Sequence, residues 1–242
     1  MLSTRKSVMA IIFGVIFLVL LGACSFGKQT ESSLQQEESA SSTTVELADL
    51  PKVSSTDWEL VLVNRTYPKA ELNPDLVEVN GVFVDRRIEN EVRQFLAAAQ
   101  SISSNEQLIS AYRSVAYQEQ VYNGYVEREL LGDPSLSRDE AEKIVQTFSQ
   151  PPGASEHQTG LAFDMSTTPN LDGSDEAIAK QVQQLAATYG FVLRFPKDKT
   201  VITGIAYENW HYRYVGKTSA AYMVKHNLAL EEYIELLKEN GQ

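Results

Sequence analysis

The chain has a single cysteine, Cys24, so no intramolecular disulfide can staple it, and a folded domain must be held by its core and at most a metal. Positive charge is also short: 21 Lys and Arg face 32 Asp and Glu, a net charge of -11. Such a surface repels polyphosphates, which argues against nucleic-acid binding through a basic patch and against a polybasic clamp on anionic lipid. Long apolar runs are missing too. The stretch over residues 8–21, broken only by Gly14, falls short of the roughly 20 residues that a membrane-spanning helix needs. Histidine is scarce as well, with three in 242 positions. No internal repeat is visible.

Arg5 and Lys6 precede the apolar run, and together they read as a secretory leader over residues 1–23. The run closes with Leu21, Gly22, Ala23 and Cys24, which resembles the lipobox of bacterial lipoproteins, where the leader is cut before the cysteine and the thiol is acylated. The resemblance implies an extracytoplasmic protein held to the cell membrane by a lipid on Cys24 and facing the cell wall. Residues 24–56 are rich in Ser, Gln, Glu and Thr with few large apolar side chains, the composition of a disordered tether. As a flexible coil it would reach on the order of 30 Å.

The folded domain is expected over residues 57–242 as α+β: a single domain with a central, mainly antiparallel sheet flanked by helices. Strand-like alternation appears at 58–63, 108–112, 161–165, 191–195, 201–207 and 211–215. Helical spacing appears at 85–100, 117–131 and 176–189, and Ser137 with Glu140 forms a capping-box signature for a helix over 138–148. Residues 64–80 read as extended or irregular. Strand 161–165 places Ala162 and Asp164 on one face and Leu161, Phe163 and Met165 on the other.

Two of the three histidines have informative neighbours. His157 sits on the loop entering the strand that carries Asp164, within Ser155-Glu156-His157-Gln158-Thr159-Gly160-Leu161-Ala162-Phe163-Asp164. The second group is Glu208-Asn209-Trp210-His211, which a tight turn could aim into the same cavity. Each half alone is weak, since a lone buried histidine is more often a hydrogen-bonded core residue. Together, two His and one Asp make three protein ligands with an open fourth position, the pattern of catalytic rather than structural zinc. His226 has no such partners and is expected to be inert. Trp210, Tyr207 and the tyrosines at 112, 117, 122 and 125 are expected to serve packing or the pocket wall.

Ser-x-His-x-x-Gly-x-Ala-x-Asp followed by Glu-x-x-His, with Trp before the last His, resembles the VanY-type D-alanyl-D-alanine carboxypeptidases of the LAS zinc metallopeptidases, with a hedgehog-like fold. The likeness runs from about Leu108 to Val215 and includes Ser110, Ala111, Tyr112, Arg113 and Ser114. It implies one zinc ion on His157, Asp164 and His211, with Glu208 as general base and Arg113 stabilising the oxyanion. It further implies that Ser155 and Gln120, with Arg113 shared, bind the terminal carboxylate of a peptidoglycan stem peptide. The lipoprotein layout and the segment from Gln150 to Gly160 resemble most the LdcB/DacB-type lipoproteins, which implies L,D-carboxypeptidase activity on tetrapeptides. The alternatives are D,D-carboxypeptidase activity on pentapeptides, a non-catalytic peptidoglycan-binding module, or a cross-bridge endopeptidase. Glu208 argues against the module, and Ser155, Gln120 and Arg113 argue against the endopeptidase.

Overall fold

The computed structural model describes residues 49–242. The leader, Cys24 and most of the proposed tether lie outside the described residues. Leu50 and Val53 pack on the second core cluster and Ser55 Oγ donates to the Gln242 carbonyl at 2.7 Å, so packed chain begins before the Asp57 boundary that composition suggests.

A four-stranded sheet in the order β3-β4-β6-β5 organises the domain, from β3 (Gln107–Ser110), β4 (Ala162–Ser166), β5 (Phe191–Phe195) and β6 (Glu208–Tyr214). Every neighbouring pair is antiparallel. A separate hairpin joins β1 (Leu76–Val79) to β2 (Val82–Asp85). The stretch read as extended or irregular ends in an extended β1 and a defined turn: Asn80 and Gly81 both have positive φ, 49° and 89°, as a two-residue hairpin requires.

One face of the sheet is apolar. Phe163 and Met165 of β4, Phe191 of β5 and Tyr212 of β6 join Val92, Phe95, Leu96 and Ala99 of α1 (Glu89–Ile102) and Val182 and Ala186 of α4 (Glu176–Ala186). The α1 spacing of three and four residues turns one stripe of the helix to the sheet. Phe95 sits at the centre, 5.0 to 6.2 Å from the rings of Phe163, Phe191 and Tyr212. Truncating such a residue to Ala typically costs about 3–5 kcal/mol.

The helices begin where capping chemistry allows. Ser114 accepts from the Tyr117 amide at the start of α2 (Val115–Gly132), and Asp175 accepts from Ala177 and Ile178 at α4. Ser137 and Glu140 form the expected capping box at α3 (Arg138–Val145). Two further helices, α6 (Lys217–Lys225) and α7 (Leu230–Glu239), build the second core cluster around Tyr222, Met223, Tyr233 and Leu237.

Two expected strands are absent. Residues 58–63 open with a 3-10 turn, Trp58–Leu60, that seats Leu60 in the second cluster. Residues 201–207 contain α5 (Thr200–Thr203), closed by Gly204 at φ 71°, whose amide donates to the Thr200 carbonyl. Val201 is almost fully exposed there, so its β propensity meets no sheet to join.

Candidate metal centre

The face of the sheet opposite Phe163 and Tyr212 carries the polar residues of the same strands. Asp164 and His211 are direct cross-strand partners on β4 and β6. His211 Nδ1 lies 2.9 Å from Asp164 Oδ1. His157 enters from the 3-10 turn Glu156–Thr159, ended by Gly160 at φ 68°. A Cβ at Gly160 would stand 2.8 Å from the Asp85 backbone nitrogen, so both the left-handed conformation and the space demand glycine.

His157 Nδ1 is 2.6 Å from the Ala111 carbonyl. A carbonyl only accepts, so Nδ1 carries the proton and Nε2 keeps its lone pair. Nε2 lies 3.5 Å from Asp164 Oδ2. One donor atom from each of His157, Asp164 and His211 falls within 4.8 Å of the others, and all three residues are buried. Two imidazole nitrogens and a carboxylate oxygen are the donors that zinc prefers, and three protein ligands leave room for water or substrate.

Electrostatics prepare the set unevenly. Burial and the nearby Arg113 lower His157 to about 3, so its imidazole is neutral. Burial opposes charge on His211, but the hydrogen bond to Asp164 and the nearby Glu156 carboxylate push it up to about 9. Burial likewise raises Asp164, yet His157 and His211 bring it down to about 2.

Glu208 opens β6 and lines the same cavity, as do Arg113 and Ser155; the cavity encloses about 700 Å³. Burial raises the Glu208 carboxyl to about 8. Among the described residues no side-chain hydrogen bond or ion pair engages Arg113, and its Nε is buried without a partner. Ser155 is buried and lines the same cavity. Gln120 is a correction: it is exposed on α2 and does not line the cavity. Gln118 does, buried, with Nε2 donating to the Gln150 carbonyl at 2.6 Å and Oε1 unpartnered. At about 100° per residue, two positions along a helix point to opposite sides, and Gln118 shares its face with Val121 and Tyr125.

Sequence reasoning passed over a buried charge network behind the site. Glu156 Oε1 accepts from Arg194 Nε at 2.8 Å and Arg213 Nη1 at 3.0 Å, and Arg194 also pairs with Glu231. Burial pushes the Glu156 carboxyl up, but the two guanidinium groups pull it well below its usual range. The available signal was an arginine inside each of two strand sequences, Phe-Val-Leu-Arg-Phe and Glu-Asn-Trp-His-Tyr-Arg-Tyr.

Residues 81–217 match the family model described as VanY: D-alanyl-D-alanine carboxypeptidase. The chain belongs to the VanY family. A D-alanyl-D-alanine carboxypeptidase of Enterococcus faecalis is 32% identical over 217 residues, covering 88% of this chain and 77% of the relative. Among solved structures, the vancomycin resistance D,D-pentapeptidase VanY from the VanB-type cassette, a variant in complex with Zn(II), superposes with a TM-score of 0.65 at 31% identity, covering 74% of this chain and 99% of that one. The LdcB LD-carboxypeptidase superposes with a TM-score of 0.61 at 31% identity, covering 77% and 93%. The VanY-family chain is a zinc metallocarboxypeptidase, and its His-Asp-His donor set fits a single zinc.

Proposed function

We propose that the enzyme removes the C-terminal D-alanine from peptidoglycan stem peptides, with His157, Asp164 and His211 holding zinc and Glu208 acting as general base. The observation that carries this reading is the meeting of those three donors, Glu208 and Arg113 in one cavity of about 700 Å³. When bound, zinc supplies a Lewis acid that acidifies water and polarises a carbonyl.

The chain's own groups do the rest. Glu208, unpaired and buried, accepts the proton of the attacking water and passes it to the departing D-alanine nitrogen. Arg113 is the cavity cation without a carboxylate partner, since Arg194 is engaged by Glu156 and Glu231. It therefore meets the negative charge that develops on the scissile carbonyl oxygen, and it shares the terminal carboxylate of the substrate with Ser155. Gln118 takes the place in that role that the sequence reading gave to Gln120.

Cleavage of tetrapeptides after an L-centre is the reading favoured by the segment from Gln150 to Gly160 and by the likeness to LdcB. The second reading, cleavage of pentapeptides between two D-alanines, is favoured by the likeness to the E. faecalis relative and to VanY. Zinc-loaded protein incubated with tetrapeptide and pentapeptide muropeptides, with D-alanine quantified, separates them. Release from tetrapeptide is the expected result, and release only from pentapeptide reverses the assignment. A zinc-loaded chain inert on both would be a binding module.

We further propose that Cys24 is acylated and that the enzyme acts at the membrane surface facing the wall, a reading supported by the Leu21-Gly22-Ala23-Cys24 motif after its apolar run. Metabolic labelling with a fatty acid should mark the wild-type chain and not Cys24→Ala.

A further inference from the structure

We propose that Glu156 is a positioning residue that holds the proton of His211 on Nε2 and thereby turns the Nδ1 lone pair toward zinc. The inference rests on the zinc role of His211 given above.

Glu156 is a buried carboxylate next to His157 in the chain, and only one of its oxygens is occupied. Oε1 takes both arginines. Oε2 has no hydrogen bond, and it faces His211 Nε2 at 3.8 Å, a nitrogen that is itself buried and unpartnered. A buried polar atom without a partner costs free energy, and here two such atoms confront each other roughly 1 Å beyond hydrogen-bond length.

The other ring nitrogen of His211, Nδ1, lies against Asp164. An imidazole that offers Nδ1 to a cation must carry its proton on Nε2, and that proton needs an acceptor. Glu156 Oε2 is the carboxylate oxygen placed there among the described residues. The carboxylate is also braced. Arg213 donates to the carbonyls of Glu59 and Val61, and Arg194 is held by Glu231 at 2.9 and 2.6 Å. Two guanidinium groups and two carboxylates balance in charge, which keeps Glu156 ionised and an acceptor.

A purely structural role, neutralising the arginines, predicts a different response to substitution. In Glu156→Gln the amide oxygen is drawn to the arginines, so the amide NH2 confronts His211 Nε2–H. Glu231→Gln disturbs the same network at its far end without touching His211.

Zinc affinity of the full chain is measured by competition with a chromophoric chelator, alongside melting temperature. Glu156→Gln should lose about 10–100-fold in zinc affinity, as outer-shell partners of metal ligands typically do. Glu231→Gln should melt lower while binding zinc within about threefold of wild type. Nitrogen-15 histidine spectra of zinc-loaded wild type should show His211 protonated at Nε2, a readout that needs no variant to fold. Protonation at Nδ1, or unchanged zinc affinity in Glu156→Gln, overturns the inference. A wild-type chain that binds no zinc would remove the zinc reading itself, whereas zinc-binding wild type with an indifferent Glu156→Gln removes this inference alone.

Discussion

Glu208 and His211 stand three residues apart on one strand and yet line the same cavity. In a regular strand an odd spacing sends side chains to opposite faces. The strand is not regular between them: Leu193 pairs with Tyr212 but Phe195 pairs with Glu208, so two steps on β5 match four on β6. Strict alternation does not hold across such an irregularity, and Glu208 lines the cavity together with Asp164 and His211. A second slip between Leu108 and Ser110 on β3 bends the opposite wall, where Ile109, Ser110 and Ala111 meet the cavity.

Glu208 therefore faces the metal donors without being one of them. Glu208→Gln should lower kcat by about 10²–10⁴-fold, the usual worth of a general base, with zinc still bound at one ion per chain. Steady-state kinetics and metal analysis on the same preparation check both halves, and lost zinc would make Glu208 a ligand instead.

Zinc binding should release a proton. In the metal-free protein His211 holds its second proton up to about pH 9, while the neutral His157, lowered to about 3, has none to lose near neutrality. The ion must displace the His211 proton below pH 9, so from this histidine apparent affinity should rise by about tenfold per pH unit toward 9 and level off above it. Titration calorimetry at pH 7 in buffers of different ionisation enthalpy should count about one proton from His211, in addition to any released by the raised Glu208.

The two glutamines of α2 give a test by contrast. Gln118, buried with an unpartnered Oε1 at the cavity, should on replacement by Ala cost about tenfold or more in kcat/KM, the scale of a hydrogen bond to a charged group. Gln120→Ala, at an exposed position, should stay within about twofold. Reversed effects would return substrate binding to Gln120.

The metal donors were legible in the sequence because each half of the site obeys a local rule. Period-two alternation placed Asp164 opposite the core residues Phe163 and Met165, and β4 keeps that arrangement. The capping box at Ser137 was legible for the same reason. The hairpin turn Asn80-Gly81 carried a local signal that the surrounding prolines masked. The register shift beside Glu208 and the Arg194–Glu156–Arg213 network are different in kind. Arg194 lies 38 positions from Glu156, and Arg213 lies 57 from it, so only the folded sheet brings them together. Gln120 came from the resemblance alone, and α2 turns Gln118, two residues earlier, to the cavity while Gln120 faces outward.

Glu106 gives a prediction about stability rather than catalysis. It precedes β3, is 3% exposed and has no cationic partner among the described residues. Burial raises its carboxyl from 4.5 to about 7, and the buried Tyr212 hydroxyl, which lacks a hydrogen bond, lies within reach of its charge. The native state thus binds this proton more tightly than the unfolded chain. From this group, stability should fall as pH rises from about 4.5 to about 7 and stay flat above, with a total near 3 kcal/mol as an upper bound. Glu106→Gln cannot ionise, so its melting temperature should exceed wild type by up to roughly 5–10 °C at pH 8 and match it near pH 4. The difference between the two pH values is the informative quantity, because a packing effect of the amide would shift both alike. A variant no more stable at pH 8 than at pH 4, relative to wild type, would mean that Glu106 is solvated or paired in solution.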